Sequence, residues 1–426
     1  MSRRYLIFLL ALGCAGQTLS PDQRKLNLDS FEMVWQRVRD KHWDPKTNGV
    51  DWPAVHAELL PKMEAAKTAA EANEVLSAML DRLHQTHFGI IPSDIYHDLE
   101  SSGGPETPGI DVRVLDGHAI VTALDPGSSA EKRGVKPGWE IVKVDGKELA
   151  PALKKIQDQF AKSTLLDLRL SRSVLGRLQG AADTSAHVDF VDAADHAVAL
   201  DLERGEPRGK IVSFGNLPAQ HVWTESRKPR PDIGYVAFNM FMDAELISKT
   251  MQDAVESCRD CKGFIIDLRG NPGGIGGLAM GVASWFIEEK GLKLGTMYLR
   301  GSNINFALFP RATPFRGALA VLVDGCSAST AEILAGGLKD LHRARIFGTR
   351  SAGAALPSVI ERLPNGDGFQ YAIANYISSG GQPLEGIGAI PDEEVRLTRR
   401  GLLDGHDAPL EASIAWIAQA PTAKQK

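Results

Sequence analysis

From Gly234 onward the chain alternates short apolar runs with amphipathic stretches, and this alternation restricts the fold more than any other feature. Residues 235–238, 263–268, 319–323 and 345–348 read as strands. Between them, 243–257, 275–288 and 330–341 have helical spacing. Strand and helix in turn predict a layered α/β core.

The preceding chain has two other textures. Residues 26–84 read as helical: Phe31, Val34, Trp35 and Val38 share one helix face, and Pro45 ends that run. Asp51 before Pro53 marks a helix start, and Leu76, Met79, Leu80 and Leu83 form a further stripe. The stripe breaks at His84-Gln85-Thr86-His87, before the strand-like Phe88-Gly89-Ile90-Ile91. Residues 101–108 read as a linker. From 109 to 160 short strands and tight turns dominate, with Asp145-Gly146 as a hairpin signal, and further strands follow near 186–204.

Composition closes off some classes of function. A chain that is 43% hydrophobic and 24% charged has the balance of a folded protein. Its net charge of −5, with no basic stripe, gives no footprint for nucleic acid. Ser2-Arg3-Arg4 followed by the apolar run 5–12 reads as an export signal, far short of the ~20 residues that span a bilayer. Ala11-Leu12-Gly13-Cys14 approximates a lipoprotein cleavage site, which makes Cys14 a candidate lipid anchor. Cys258 and Cys261 form a lone CxxC, with three readings: a weak zinc site, a disulfide in an oxidising compartment, or two small residues ending a helix.

Four places carry candidate chemistry, and each has a bland alternative. Arg269-Gly270-Asn271-Pro272-Gly273-Gly274, after a strand and before a helix, offers N–H groups to an oxyanion, or is a plain glycine turn. Ser329, three residues before Glu332 at a helix start, is a nucleophile or one half of a capping box. His87 after Thr86 is a base or a structural histidine, and His84 competes with it. Glu385 in Leu384-Glu385-Gly386 is an orienting carboxylate or solvated surface.

The motifs LRGNPGG, CSASTAEILAGGLKD, GTRSAGAAL and EGIGAIPD occur in this order behind DPGSSAEKRGVKPGWEIVKVDG. Together they resemble the tail-specific, or C-terminal processing, peptidases, from about residue 70 to 395. The last segment resembles a PDZ domain of bacterial proteases, which holds extended peptides by strand addition. Behind the signal peptide, read at 1–20, the resemblance implies a multidomain α/β fold: an N-terminal helical region at 21–100, a PDZ-like β-rich domain at 105–205 and a crotonase-like serine protease core at 206–420. By position, the family nucleophile falls on Ser329 rather than Ser327, and the oxyanion donors are the backbone N–H groups of Gly274 and Thr330.

One position departs from the best-known branch of that family. Its lysine base, in a GxxTFGKG stretch, corresponds here to Ala354, and Arg350 stays protonated and cannot replace it. The branch resembling tricorn protease, with serine, histidine, a hydroxyl before the histidine and a late glutamate, matches Ser329, His87, Thr86 and Glu385. An unperturbed imidazole titrates near about 6.5 and can accept the serine proton at neutral pH. Glu385, through Thr86, would orient the imidazole.

The expectation is an exported periplasmic or extracellular serine endopeptidase that needs no metal or cofactor. Its substrate is a polypeptide whose tail the PDZ-like domain holds. The alternative is a non-catalytic peptide- or ligand-binding protein on the same fold, motivated by Ala354 and Thr86. A third reading, an acyl-CoA enzyme of crotonase type, conflicts with the export signal.

Overall fold

The computed structural model describes residues 18–93 and 105–421. The export signal, Cys14 and the first part of the linker lie outside the described residues. Among the described residues, no helix is long and apolar enough to cross a membrane.

The described residues form two compact units: 18–93 with 358–373, and 105–357 with 374–421. In the smaller unit three helices are defined by their caps. Helix α1 (Pro21–Lys41) starts with a capping box between Ser20 and Gln23 and carries proline in its first turn. It buries Phe31, Val34 and Val38. It ends at Lys41, ahead of Pro45, because His42 turns to φ −53° and ψ 132°. Helix α2 (Trp52–Ala65) is capped by Asp51, and α3 (Ala69–Asp81) by Thr68. After α3, strand β1 (Gly89–Ile91) pairs antiparallel with Gly368–Ala372, which pairs in turn with Ser358–Arg362.

That hairpin differs from the contiguous core expected over 206–420. Residues 358–373 belong with the N-terminal helices because they complete the β1 sheet. They also give Leu363, Phe369 and Tyr371 to the core of the three helices.

The larger unit contains two principal sheets. The first is antiparallel, in the order β2 (Ile110–Leu115), β3 (His118–Leu124), β4 (Glu140–Val144), β5 (Ser185–Val191), β6 (Ala197–Glu203). Two helices absent from the sequence reading, α4 (Ala150–Phe160) and α5 (Leu166–Leu178), lie between β4 and β5. Leu153 of α4 and Leu170, Val174 and Leu178 of α5 join Val112, Val121, Ile141 and Phe190 in one apolar cluster.

The second sheet runs β7 (Thr224–Arg230), β8 (Ile233–Phe238), β9 (Gly263–Asp267), β10 (Ala318–Val323), β11 (Arg345–Gly348), β12 (Glu393–Glu394). From β8 to β12 the pairing is parallel. Every residue of β8 and β9 is buried, because alternate side chains feed two cores. Val236, Phe264, Ile266, Val321 and Val323 join α6 (Ala244–Ser257), α7 (Gly276–Ala283) and α8 (Thr330–Asp340) on one side. Ile233, Tyr235, Ile265, Ala320, Leu322 and Phe347 meet Trp416 and Ile417 of α9 (Ala408–Gln419) on the other. Helix α7 is shorter than the 275–288 expected, ending at Ala283. Cys258 and Cys261, just after α6, form a disulfide, which replaces the zinc and bare helix-end readings of that CxxC.

Candidate active site

The loops that follow β9, β10 and β11 leave neighbouring parallel strands, so they emerge at one carboxyl edge of the sheet. These are 268–275, 324–329 and 349–357, the segments that carry three of the sequence motifs.

Buried polar groups bind the first two loops together. Asn271 is fully buried; its Nδ2 donates to the Phe238 carbonyl at 2.7 Å and its Oδ1 accepts from Gly273 N at 2.9 Å. The Ala328 N–H donates to the Asn271 carbonyl at 2.9 Å. Asp324 accepts from Gly270 N at 2.9 Å and Cys326 N at 3.0 Å, and pairs with Arg113 of β2 at 2.6 Å. Burial pushes the Asp324 carboxyl up, but Arg113 and the Gly270 N–H outweigh it and hold it below the ordinary carboxylate range. At the root of the loop Arg269 bridges Asp267 (2.6 Å) and Asp407 (2.7 Å). Both acids lie on regular elements, one ending β9 and the other capping α9.

Within 325–338 every residue is buried except Ser329, which is half-buried. Its backbone stands at φ +54° and ψ −118°, outside the regions ordinarily open to an L-residue. The N-caps of α1, α3 and α6 are extended at negative φ, so capping alone does not require this conformation. The turn lifts one hydroxyl out of a buried segment at the start of a helix, as a strained strand-to-helix nucleophile turn does. Gly273 faces it: a Cβ there would lie 2.6 Å from the Ser329 Cβ and 2.9 Å from Thr330 N. Only glycine, at φ +101°, allows this approach.

Glu332 holds the turn. It is fully buried and accepts four hydrogen bonds. They come from Ser329 N (2.9 Å), Ala354 N (2.9 Å), Gly353 N (2.7 Å) and the Ser351 hydroxyl (2.6 Å). Ser329 N also donates to the Ala354 carbonyl at 2.8 Å. Burial pushes the Glu332 carboxyl up to about 7, while the four bonds pull the other way. The capping box seen in the sequence is therefore one arm of a larger hub.

The other candidates divide clearly. Ser327 is fully buried and donates to the Leu268 carbonyl at 2.7 Å, a structural hydroxyl. Cys326 is a free thiol that burial pushes up to about 12, so it stays protonated. Ala354, at the lysine position, is buried in a small apolar cluster with Ala328 and Ala352. Gly274 lies at φ +134° and its carbonyl accepts from the Thr330 hydroxyl at 2.8 Å. Glu385 accepts from Ala355 N at 3.1 Å, and Gly386 N donates to the Gly353 carbonyl at 2.8 Å. The larger unit thus gathers Ser329, Gly274, Thr330, Glu332 and Glu385 around the 351–355 segment.

Thr86 and His87 belong to the smaller unit. Thr86 Oγ1 lies 2.8 Å from His87 Nδ1, which leaves Nε2 on the far side of the ring. His87 is half-buried at φ +59°, and His84 is exposed at φ +52°. Sequence reasoning missed Arg113, Asp324 and the hub role of Glu332. A glutamate already explained by a capping box carries no mark of its three further bonds.

A parallel α/β sheet whose carboxyl edge presents a strained serine at a helix start, facing a glycine loop, defines a serine-hydrolase class of site. Residues 232–395 match the model of peptidase family S41, and residues 27–81 match that of the tricorn protease C1 domain. The chain carries a peptidase family S41 domain at residues 232–395 and is a serine peptidase.

Among its relatives is the chloroplastic carboxyl-terminal-processing peptidase 3 of Arabidopsis thaliana, 25% identical over 84% of this chain and 67% of that protein. The carboxyl-terminal-processing protease of Synechocystis is 23% identical over 91% of this chain and 84% of its own length. In fold the chain is similar to a photosystem II D1 C-terminal processing protease, with TM-score 0.57, 21% identity, and 91% and 97% of the two chains covered. It is also similar to the tricorn protease, with TM-score 0.51, 15% identity, and 93% and 37% covered.

Proposed function

We propose that this chain is an exported serine endopeptidase of the C-terminal processing type. It hydrolyses peptide bonds through an acyl-enzyme. The observation that carries the reading is Ser329: the one accessible residue in a buried stretch, in a strained conformation, at a helix start opposite Gly273. Strain of this kind persists only where the surroundings over-determine it, and it gathers at functional positions.

In this reading Ser329 Oγ attacks the scissile carbonyl and His87 Nε2 takes its proton. For that role His87 must carry its other proton on Nδ1, donating to Thr86 Oγ1, which the 2.8 Å contact accommodates. The backbone N–H groups of Gly274 and Thr330 stabilise the oxyanion. The imidazolium then protonates the leaving amine, and water repeats the sequence on the acyl-enzyme. Glu385 supports the charged imidazole through Thr86. The 105–205 region acts as a PDZ-like module that holds the substrate tail, and 206–420 without the 358–373 hairpin is the crotonase-like core. The Cys258–Cys261 disulfide fits an oxidising compartment beyond the cytoplasm.

The test is peptidase activity on unfolded protein and on tailed peptides. Wild-type cleavage that is lost in both Ser329→Ala and His87→Ala is the expected result. Cleavage that survives Ser329→Ala overturns the assignment.

A further inference from the structure

The segment that bears His87 is strained twice and is short of regular structure. His84 and His87 both stand in left-handed backbone, at φ +52° and +59°. Each such non-glycine residue costs about 1 kcal/mol or more. Between the end of α3 and β1 only turns and bends occur. Something outside the segment must hold it.

His42 is the side chain placed to do so. It follows α1, is fully buried, and its own N–H donates to the Val38 carbonyl at 3.0 Å. Its Nε2 lies 2.8 Å from Gln85 Oε1. Its ring stacks on Phe88, with centroids 5.5 Å apart and planes 14° apart. Gln85 and Phe88 are the residues immediately before and after Thr86-His87, so one imidazole grips both flanks of that pair. Trp43 backs the same ring at 5.6 Å.

His42 Nδ1 lies 2.9 Å from the Asp44 carbonyl and 3.0 Å from the Asp44 N–H. Nε2 faces Gln85 Oε1, so both ring nitrogens are engaged. A buried imidazole with both nitrogens engaged and two aromatic rings stacked against it is a rigid spacer.

We propose that His42 is a positioning residue for catalysis: by pinning Gln85 and Phe88 it fixes the backbone at Thr86-His87, and with it the direction of the base. This rests on the reading of His87 as the base. Phenylalanine at 42 keeps the stack and removes the hydrogen bond, whereas glutamine keeps a donor near the Nε2 position and removes the stack.

The experiment compares His42→Phe, His42→Gln and His87→Ala in the full chain, measuring kcat, KM and Tm on one tailed peptide. A control is a core variant of the same unit, Val55→Ala or Leu59→Ala, chosen to match the Tm loss of His42→Phe. The expected result is a kcat about 10- to 100-fold lower in His42→Phe. KM should stay within about twofold, His42→Gln should recover part of the loss, and the matched control should keep its kcat. Full kcat in His42→Phe, or an equal loss in the control, overturns the inference while leaving His87 as base. Full activity in His87→Ala overturns the underlying reading itself.

Discussion

The serine and histidine segments both bend through left-handed backbone, Ser329 at φ +54° and His87 at φ +59°, yet they are held in different ways. Ser329 is anchored from beneath, by a buried carboxylate with four donors and by two loops from adjacent parallel strands. His87 is anchored from the sides, by one imidazole, one short sheet pairing and a bond from Asn48 Nδ2 to the Leu83 carbonyl at 2.9 Å. Many buried polar bonds make the first a fixed point. The second is gripped by groups that flank it.

The largest effect belongs to Ser329→Gly. Turnover should fall by a factor on the order of 10⁴ or more, as when a nucleophile is removed. Folding stability should rise by about 1 kcal/mol, because glycine adopts this backbone freely and is an adequate N-cap. Denaturant unfolding beside kinetics checks both halves, and a loss of stability would break the claim that the serine turn is strained.

Next is Gly273→Ala, whose methyl would meet the Ser329 Cβ at 2.6 Å. A kcat about 100-fold lower, with a reduced Tm, is expected from a displaced serine. Unchanged kcat would show that the serine loop absorbs the methyl without displacing the hydroxyl.

Glu332→Gln should cost about 1–3 kcal/mol, because its amide NH₂ would face backbone donors. The pH dependence sharpens this. The carboxyl titrates at about 7 in the folded chain against an ordinary 4.5, so the folded state binds the proton more tightly. Its stabilising contribution is complete below 4.5 and is lost as pH rises through about 7. Wild-type stability relative to Glu332→Gln should therefore decline across that window in denaturation curves taken at each pH. A flat difference would show that the carboxyl keeps one ionisation state throughout.

The smallest effect is on the histidine side. Asn48→Gly keeps the φ +56° backbone and removes only the bond to Leu83. A loss of about 1 kcal/mol and a fall of a few-fold in kcat are expected. A fall as deep as that of Gly273→Ala would make the histidine segment the more critical of the two.

The strands of the parallel sheet were readable because both of their faces are buried, which leaves unbroken apolar runs such as 319–323. Helices α4 and α5 were missed because they interrupt a run of strands whose pattern dominates its neighbourhood. The hairpin at 358–373 was assigned to the wrong unit because sheet partnership is non-local. Nothing between Ser358 and Ile373 names β1 as its partner. Ser329, Gly273 and Gly274 stood in recognisable motifs. Arg113, Asp324 and His42 did not, because their work is defined by what they touch.

The pairing of Gly89 with Gln370 has a consequence for the timing of synthesis. A ribosome that has released the three N-terminal helices has not yet made the strand that completes their sheet. The histidine loop waits for almost the whole catalytic half to emerge before its last neighbour arrives. A nascent chain of this kind cannot close that sheet early, and the delay is written into the order of its strands.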